Sequence, residues 1–301
     1  MELIGVNIGG TTTTVVRGDE RGNVYERANF PTERERGEDA LFAEIAAAVG
    51  ALRRDQGVAV GVAVGVAVGG PCDAHRGIVI SAPHLPFRDF PLAARLSAEC
   101  GLPVRLHHDA AACALAEWRW GPDAGSAGLA YLTCGTGFGV GLVLDGKPRY
   151  GSSGHSPEIG HVRYRDVGPD IFEKPGCFEG FSSATALALL AKERDPSDLG
   201  RLLPKEIAER ALRGDPLASE IVRENQHAVG AACALLADLL VLDVIVLGSL
   251  ARYLGMAWIA GVQQAFAREA LPANVAHCRI RGSIADVQDL SGLAAAIDAA
   301  P

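Results

Sequence analysis

The chain has 301 residues, 49% of them hydrophobic, and a formal net charge of −8. That length exceeds what one small core needs and suits two compact lobes. The acidic balance and sparse, scattered cations exclude nucleic acid as the main partner, because phosphate backbones demand clustered Lys and Arg. No run of about 20 uncharged apolar residues exists, so no membrane span is expected. The N-terminal Met1-Glu2-Leu3 shows neither the basic region nor the apolar core of a secretion signal, so the protein is expected in the cytoplasm. The seven cysteines form no C-x-x-C pair and read as buried small hydrophobes rather than a disulfide framework.

In chain order, residues 3–8 are a short apolar strand running into Gly9-Gly10. The β-branched stretch 11–16 predicts a second strand and 24–30 a third, a meander at the start of the chain. Residues 37–54 carry apolar side chains at Leu41, Phe42, Ile45, Val49 and Leu52, the stripe of a helix closed by Gly57. Residues 58–68, rich in Val and Ala, return to strand, and 69–90, dense in Pro, Gly and Asp, form a long loop with short ordered pieces. A helix over 92–100, a strand over 104–106 and a helix over 109–120 follow.

The pattern then restarts: a strand over 127–133, a tight turn at Gly135-Thr136-Gly137, a strand over 139–144 and a hairpin signal at Asp145-Gly146. Residues 151–180 are a second long loop. From 182 the chain is mostly helical, except strands at 244–247 and 279–281, and it ends in a helix over 286–299. The expected fold class is α/β, two lobes with a cleft between them. The boundaries are 1–114 for the first lobe, joined by the helix at 286–301, and 115–285 for the second.

Two segments share one chemistry. Asn7-Ile8-Gly9-Gly10-Thr11-Thr12 and Cys134-Gly135-Thr136-Gly137-Phe138-Gly139 each place a Gly/Thr turn between two strands. Glycines let backbone N–H groups approach a phosphate, and threonine hydroxyls add donors. Each turn taken alone also fits an ordinary tight hairpin. One in each lobe points to paired phosphate clamps. Neither is a P-loop, since no Gly-Lys-Ser/Thr follows, and neither opens a helix as a dinucleotide fold requires. The strand-to-helix break at Gly248-Ser249 suits the adenosine part of a nucleotide.

These segments, with Asp109-Ala110 and Glu117, Glu158-Ile159-Gly160-His161, Gly176-Cys177-Phe178-Glu179 and Ile245-Val246-Leu247-Gly248, resemble the bacterial ROK family of repressors and sugar kinases over essentially the whole chain. The resemblance implies the two-lobed actin-like (ribonuclease H-like) ATPase fold with a central cleft. It implies an ATP-dependent kinase with Asp109 as the base for the sugar 6-hydroxyl. His84, His108, Glu158, His161 and Glu179 would hold the sugar. Gly9, Gly10, Thr11, Thr12, Gly135, Thr136, Gly137, Gly248 and Ser249 would hold ATP, with Mg²⁺ near Asn7. Family repressors carry an additional DNA-binding module before the first strand; this chain begins at that strand, so it resembles the kinases. A homodimer is the family expectation. Locally, Asp109 also reads as a plain helix N-cap, and Glu-x-x-His as a surface pair on one helical face.

Four departures from the family pattern stand out. Asn7 replaces an Asp that orients Mg²⁺, and Thr12 a Lys. His108 and His84 stand where Asn is usual, which favours an amino sugar or cyclitol over plain glucose. The zinc positions are His161, Asp170, Phe172 and Cys177, so no structural zinc is expected and the 166–176 loop is held by packing through Ile171 and Phe172. Gly69-Gly70-Pro71 inverts the usual Pro-Gly order. The main expectation is a kinase for the primary hydroxyl of a hexose, amino sugar or sugar-like cyclitol. The alternative, prompted by Asn7, is a catalytically weak sugar-binding sensor or pseudokinase.

Overall fold

The computed structural model describes residues 1–53 and 62–299. Two compact units emerge, Met1–Gly125 with Gly146–Pro157 and Ile284–Pro301, and Ser126–Asp145 with Glu158–Ser283. Among the described residues no helix is long and apolar enough to cross a membrane. The glycine expected to close the first helix, Gly57, and the start of the strand expected at 58 lie outside the described residues.

The first unit begins with β1 (Glu2–Ile8), β2 (Thr12–Asp19), β3 (Val24–Pro31), α1 (Glu38–Leu52) and β4 (Ala63–Val68). Within the expected 69–90 loop run β5 (Cys72–Asp73), β6 (Ile78–Ser81) and β7 (Arg88–Phe90), a small antiparallel sheet. Next come α2 (Leu92–Cys100), β8 (Val104–His108) and α3 (Asp109–Trp120). The main sheet has the order β3-β2-β1-β4-β8, antiparallel among β1 to β3 and parallel from β1 through β4 to β8. The strand expected over 104–106 runs two residues further, because His107 and His108 pair with Ala67 and Val68 of β4. β4, Ala-Val-Gly-Val-Ala-Val, is buried at every position, as a parallel strand covered on both faces must be.

Those two faces take different helices. Ile4, Val6, Ile8, Val64, Val66 and Leu106 pack with the Leu41, Phe42, Ile45, Val49 stripe of α1. The alternate residues Leu3 and Ala63 pack with Leu293 and Ala296 near the chain's end.

The second unit opens with β9 (Gly128–Leu132) and β10 (Val140–Leu144); the chain then crosses β11 (Lys147–Pro148), which belongs to the first unit. Next are the hairpin β12 (Asp170–Ile171) and β13 (Lys174–Pro175), then α4 (Glu179–Ser182), α5 (Ala184–Arg194), α6 (Pro204–Leu212) and α7 (Pro216–Leu240). β14 (Val244–Leu247), α8 (Leu250–Glu269), α9 (Pro272–His277) and β15 (Arg279–Gly282) complete it, and α10 (Val287–Ile297) returns to the first unit. Among this unit's own strands the order is β10-β9-β14-β15, antiparallel between β10 and β9 and parallel from β9 through β14 to β15. The buried Asn225 of α7 accepts from Trp258 Nε1 of α8 at 2.9 Å and donates to Phe181 O of α4 at 2.9 Å, so one amide ties three helices.

α10 seats on β1 and β4 backbone to backbone. A Cβ on Gly5 would lie 2.6 Å from Leu293 N, one on Gly65 2.1 Å from Ala296 N, and one on Gly292 2.6 Å from Val6 N. Here glycine is required by close approach rather than by backbone angle. Gly65→Ala is therefore expected to destabilise by about 3 kcal/mol or more, since the added methyl meets backbone that cannot rotate away. On Gly50 of α1 an added Cβ meets nothing within 4 Å among the described residues. There the same change should stabilise by up to about 1 kcal/mol through helix propensity. Denaturant titration of the two variants checks both signs.

Candidate active site

The end of β8 and the start of α3 meet at His108-Asp109. Asp109 is the first residue of α3 and His108 its cap, so Asp109 is not the N-cap. Its Oδ1 accepts the Ala110 N–H at 2.6 Å and faces His108 Nδ1 at 3.3 Å, and its side chain remains 43% exposed. A carboxylate in the first turn also gains from the helix dipole. His108 is 7% exposed, and its ring lies against Gly70, where a Cβ would come within 2.7 Å of Cδ2. The inverted Gly69-Gly70-Pro71 thus makes room for the histidine that replaces Asn. Farther along α3, the fully buried Glu117 accepts the Ile284 N–H at 2.7 Å.

Behind this junction lies a polar chain that no sequence pattern announced. Tyr150 Oη stands 2.7 Å from His107 Nδ1. His107 Nε2 faces Asp298 Oδ2 at 3.2 Å, and Asp298 Oδ1 accepts from Arg119 at 2.8 Å. Burial holds the Tyr150 phenol protonated, so it donates to Nδ1, and the proton of the neutral imidazole sits on Nε2 facing Asp298. Burial also pushes the His107 imidazole below its ordinary value; Asp298 opposes this, and Arg105 and Arg119 reinforce it. For Asp298, burial pushes upward but His107 and Arg119 prevail, and its carboxyl sits below the ordinary range.

The first glycine turn is closed by Gly9 N–H donating to Thr12 O at 3.1 Å and by Thr32 Oγ1 donating to Gly9 O at 2.6 Å. Gly10, Thr11 and Thr12 are exposed. A cavity of about 450 Å³ opens on Gly10 and Thr11 and is lined also by Glu33, Arg34, Glu35 and His84. A Cβ on Gly10 would sit 2.8 Å from His84 Cβ, so this glycine cedes space to the histidine. A larger groove of about 670 Å³ between α1 and α2 is lined by none of the candidate site residues. Asn7 is turned to α10: its Nδ2 donates to Gln288 O at 3.0 Å and to Ser291 Oγ at 3.1 Å.

In the second unit Glu179 is the organising side chain. Its Oε2 accepts the Phe138 N–H at 2.9 Å, and glycines at 137 and 160 leave room for it: a Cβ would approach Oε2 to 3.0 and 3.3 Å. The second glycine turn is thereby fixed on this carboxylate, with Gly160 of the Glu158–His161 turn close beside it. Glu158 and His161 bracket a short 3-10 turn, with His161 N–H donating to Glu158 O at 3.3 Å, and both are exposed. Thr136 is exposed at the tip of the turn, and its carbonyl accepts from Thr185 Oγ1 at 2.7 Å. Gly135 sits over Ser249, whose Oγ would be 3.0 Å from a Cβ there, and a Cβ on Gly248 would meet Tyr131 Oη at 2.5 Å. Internal packing alone therefore already demands glycine at 248, where a Cβ would also meet Thr133 O at 2.8 Å, and makes 135 and 137 tight.

At the former zinc positions the chain builds a hairpin. Phe172 and Glu173 both take the left-handed conformation, with φ of 60° and 56°, between β12 and β13. The Phe172 ring stacks on His161 at 3.9 Å and 14°. One face of His161 is thus covered by an aromatic ring. Ile171 packs on α4, 3.7 Å from where a Gly180 Cβ would be. Among the described residues no group of three His, Cys, Asp or Glu is arranged to hold a metal ion.

Two outcomes test these geometries. In the unfolded chain the His107 imidazole has its ordinary value near 6.5, and in the fold it is lower, so protonation favours unfolding. Its contribution is complete above that value and is lost as pH falls below it. Between about pH 7.5 and about pH 5.5 the wild type should lose thermal midpoint, while His107→Phe should be less stable throughout but flatter across that window. Asn7→Asp removes the donor to Gln288 O and sets a carboxylate against a carbonyl. It is expected to cost about 1–3 kcal/mol, read by thermal melts above pH 6 or so.

Comparison with known proteins follows the same lines. A model of the ROK family matches residues 3–297. A glucokinase of Halalkalibacterium halodurans is 30% identical over 284 residues, covering 89% of this chain and 86% of that one. The ROK hexokinase of Thermus thermophilus superposes with a TM-score of 0.85 at 27% identity over 99% of both chains. A ROK glucokinase of Streptomyces griseus, solved with glucose and AMPPNP, superposes with a TM-score of 0.81 at 28% identity over 100% of this chain and 99% of that one. The chain belongs to the ROK family and has the actin-like α/β ATPase fold of that family's sugar kinases.

Proposed function

We propose that this chain is an ATP-dependent sugar kinase that phosphorylates the primary, 6-type hydroxyl of a hexose, amino sugar or sugar-like cyclitol, with Asp109 as general base. The observation that carries the reading is a part-exposed carboxylate on the first turn of α3, with one oxygen anchored by the Ala110 N–H. Phosphoryl transfer asks little covalent help of a protein; it asks for placement of the hydroxyl and for charge stabilisation. A carboxylate within reach of the hydroxyl removes its proton as the bond to phosphorus forms. Relatives named as glucokinases, and one crystallised with glucose and AMPPNP, support the substrate classes.

On this reading His84, His108, Glu158, His161 and Glu179 line the sugar. Gly9, Gly10, Thr11, Thr12, Gly135, Thr136, Gly137, Gly248 and Ser249 line the nucleotide. The exposed Gly10-Thr11-Thr12 turn beside an open cavity fits a phosphate. Mg²⁺ would neutralise charge on the phosphates of ATP, and Asn7 would offer it an uncharged amide oxygen, since the amide nitrogen is committed to α10. The His161–Phe172 stack, with phenylalanine at a former ligand position, does not fit structural zinc. A cytoplasmic homodimer belongs to the same reading on family likeness.

The commitment of Asn7 to α10 favours one second reading, a sugar-binding sensor of the same fold with weak or no turnover. A panel of hexoses, amino sugars and cyclitols with Mg-ATP separates the two. ADP release by the wild type supports the kinase; sugar binding by calorimetry without ADP supports the sensor. With the best substrate of the panel, Asp109→Asn should lower kcat/KM by about 10²- to 10⁴-fold, the range for loss of a general base. Undiminished turnover in that variant would remove Asp109 from the mechanism.

A further inference from the structure

Sequence comparison casts His108 as a residue that reads sugar hydroxyls. Its surroundings assign it other work. Nδ1 of His108 is itself buried and makes no well-aligned hydrogen bond among the described residues, yet it faces Asp109 Oδ1 at 3.3 Å. A buried Nδ1 is out of reach of a sugar hydroxyl. The other edge of the ring is pinned by the backbone of Gly70, where a Cβ would lie 2.7 Å from Cδ2 and 2.9 Å from Nε2. The ring is therefore wedged with Nδ1 aimed at the carboxylate.

Two lone pairs do not face each other at this distance without repulsion, so a proton lies between Nδ1 and Oδ1. The Ala110 N–H already donates to the same oxygen at 2.6 Å. We infer that His108 is a positioning residue for Asp109: its Nδ1–H and the Ala110 N–H together hold Oδ1, which leaves Oδ2 as the oxygen that takes the substrate proton. This rests on the reading of Asp109 as the base. In the step, a lone pair of the sugar hydroxyl oxygen forms the bond to the γ-phosphorus. The bond from that phosphorus to the bridging oxygen breaks, with its electrons leaving on ADP. The hydroxyl proton moves to Oδ2, and His108 keeps its own proton throughout. The present Nδ1 to Oδ1 contact is poorly aligned, and catalytic hydrogen bonds of this kind tighten when substrate binds.

The test is steady-state kinetics with Mg-ATP and the best sugar of the panel, on His108→Leu, His108→Gln and Gly70→Ala. His108→Leu, which removes the donor, should lower kcat by about 10- to 100-fold, the loss expected for one hydrogen bond to a charged group, with the sugar KM changed by less than about 3-fold. His108→Gln, which keeps an N–H donor, should recover part of that kcat. A raised sugar KM with kcat preserved would show that His108 reads the sugar and would overturn the inference, as would a Gln variant no better than Leu. Should His108→Leu fail to fold, Gly70→Ala applies the same question by displacing the ring: kcat falls with KM held if the inference is right, and an unchanged kcat overturns it. Asp109→Asn in the same assay separates the two levels. If it stays active, the base reading falls and takes the inference with it; if it is inactive while the His108 variants miss their pattern, only the inference falls.

Discussion

The first unit depends on three missing side chains. Gly5, Gly65 and Gly292 let the backbone of α10 close directly onto β1 and β4, at separations a methyl group would forbid. That contact brings a segment from the chain's end under strands from its beginning. Two polar arrangements exist only because of it. Asn7 finds Gln288 and Ser291 there, and His107 finds Asp298. Side chains at those glycines would lift the helix and strand both sets of polar atoms in an apolar interface, where an unpaired group costs about 1–3 kcal/mol.

The second unit relies on a polar hub. One oxygen of Glu179 holds the Phe138 N–H, and two glycines make space for it. The short helix that carries Glu179 is itself held by the Asn225 amide through Phe181 O. In each unit a segment singled out by the sequence thus meets a partner far away in sequence, which makes its geometry a property of the tertiary fold rather than of its own few residues.

That difference decides what could be read from sequence. The β1–β3 meander, the α1 stripe and the start of α3 at Asp109 carry local periods or turn residues, and each is where the pattern puts it. The two glycine turns were legible too, although packing has its own claim on them: Gly10 makes way for His84, and Gly135 and Gly137 sit tightly against Ser249 and Glu179. The strands β5 to β7 were hidden because they are two to four residues long, too short for an alternation to declare itself. The His107–Tyr150 pair and the Asn7 tether had no signal at all. A polar pair separated by 43 or 284 positions leaves no periodic trace. Within Ala63–Val68, Gly65 reads as one more small residue of a buried strand until the helix above it is known.

The departures at positions 7 and 108 gain a common meaning from this geometry. With asparagine at position 7, that side chain is spent on α10, and its amide brings no negative charge to the first glycine turn. The junction of β8 and α3 then carries its charge on Asp109 alone, with a histidine pressed beside it by Gly70. A carboxylate that is 43% exposed and anchored by a single backbone N–H can rotate about its side-chain bonds. A second contact on the same oxygen removes that freedom, and a buried imidazole set against Gly70 supplies it with little entropy left to lose. The histidine is thus better matched to fixing the Asp109 carboxylate than to reading an adaptable hydroxyl.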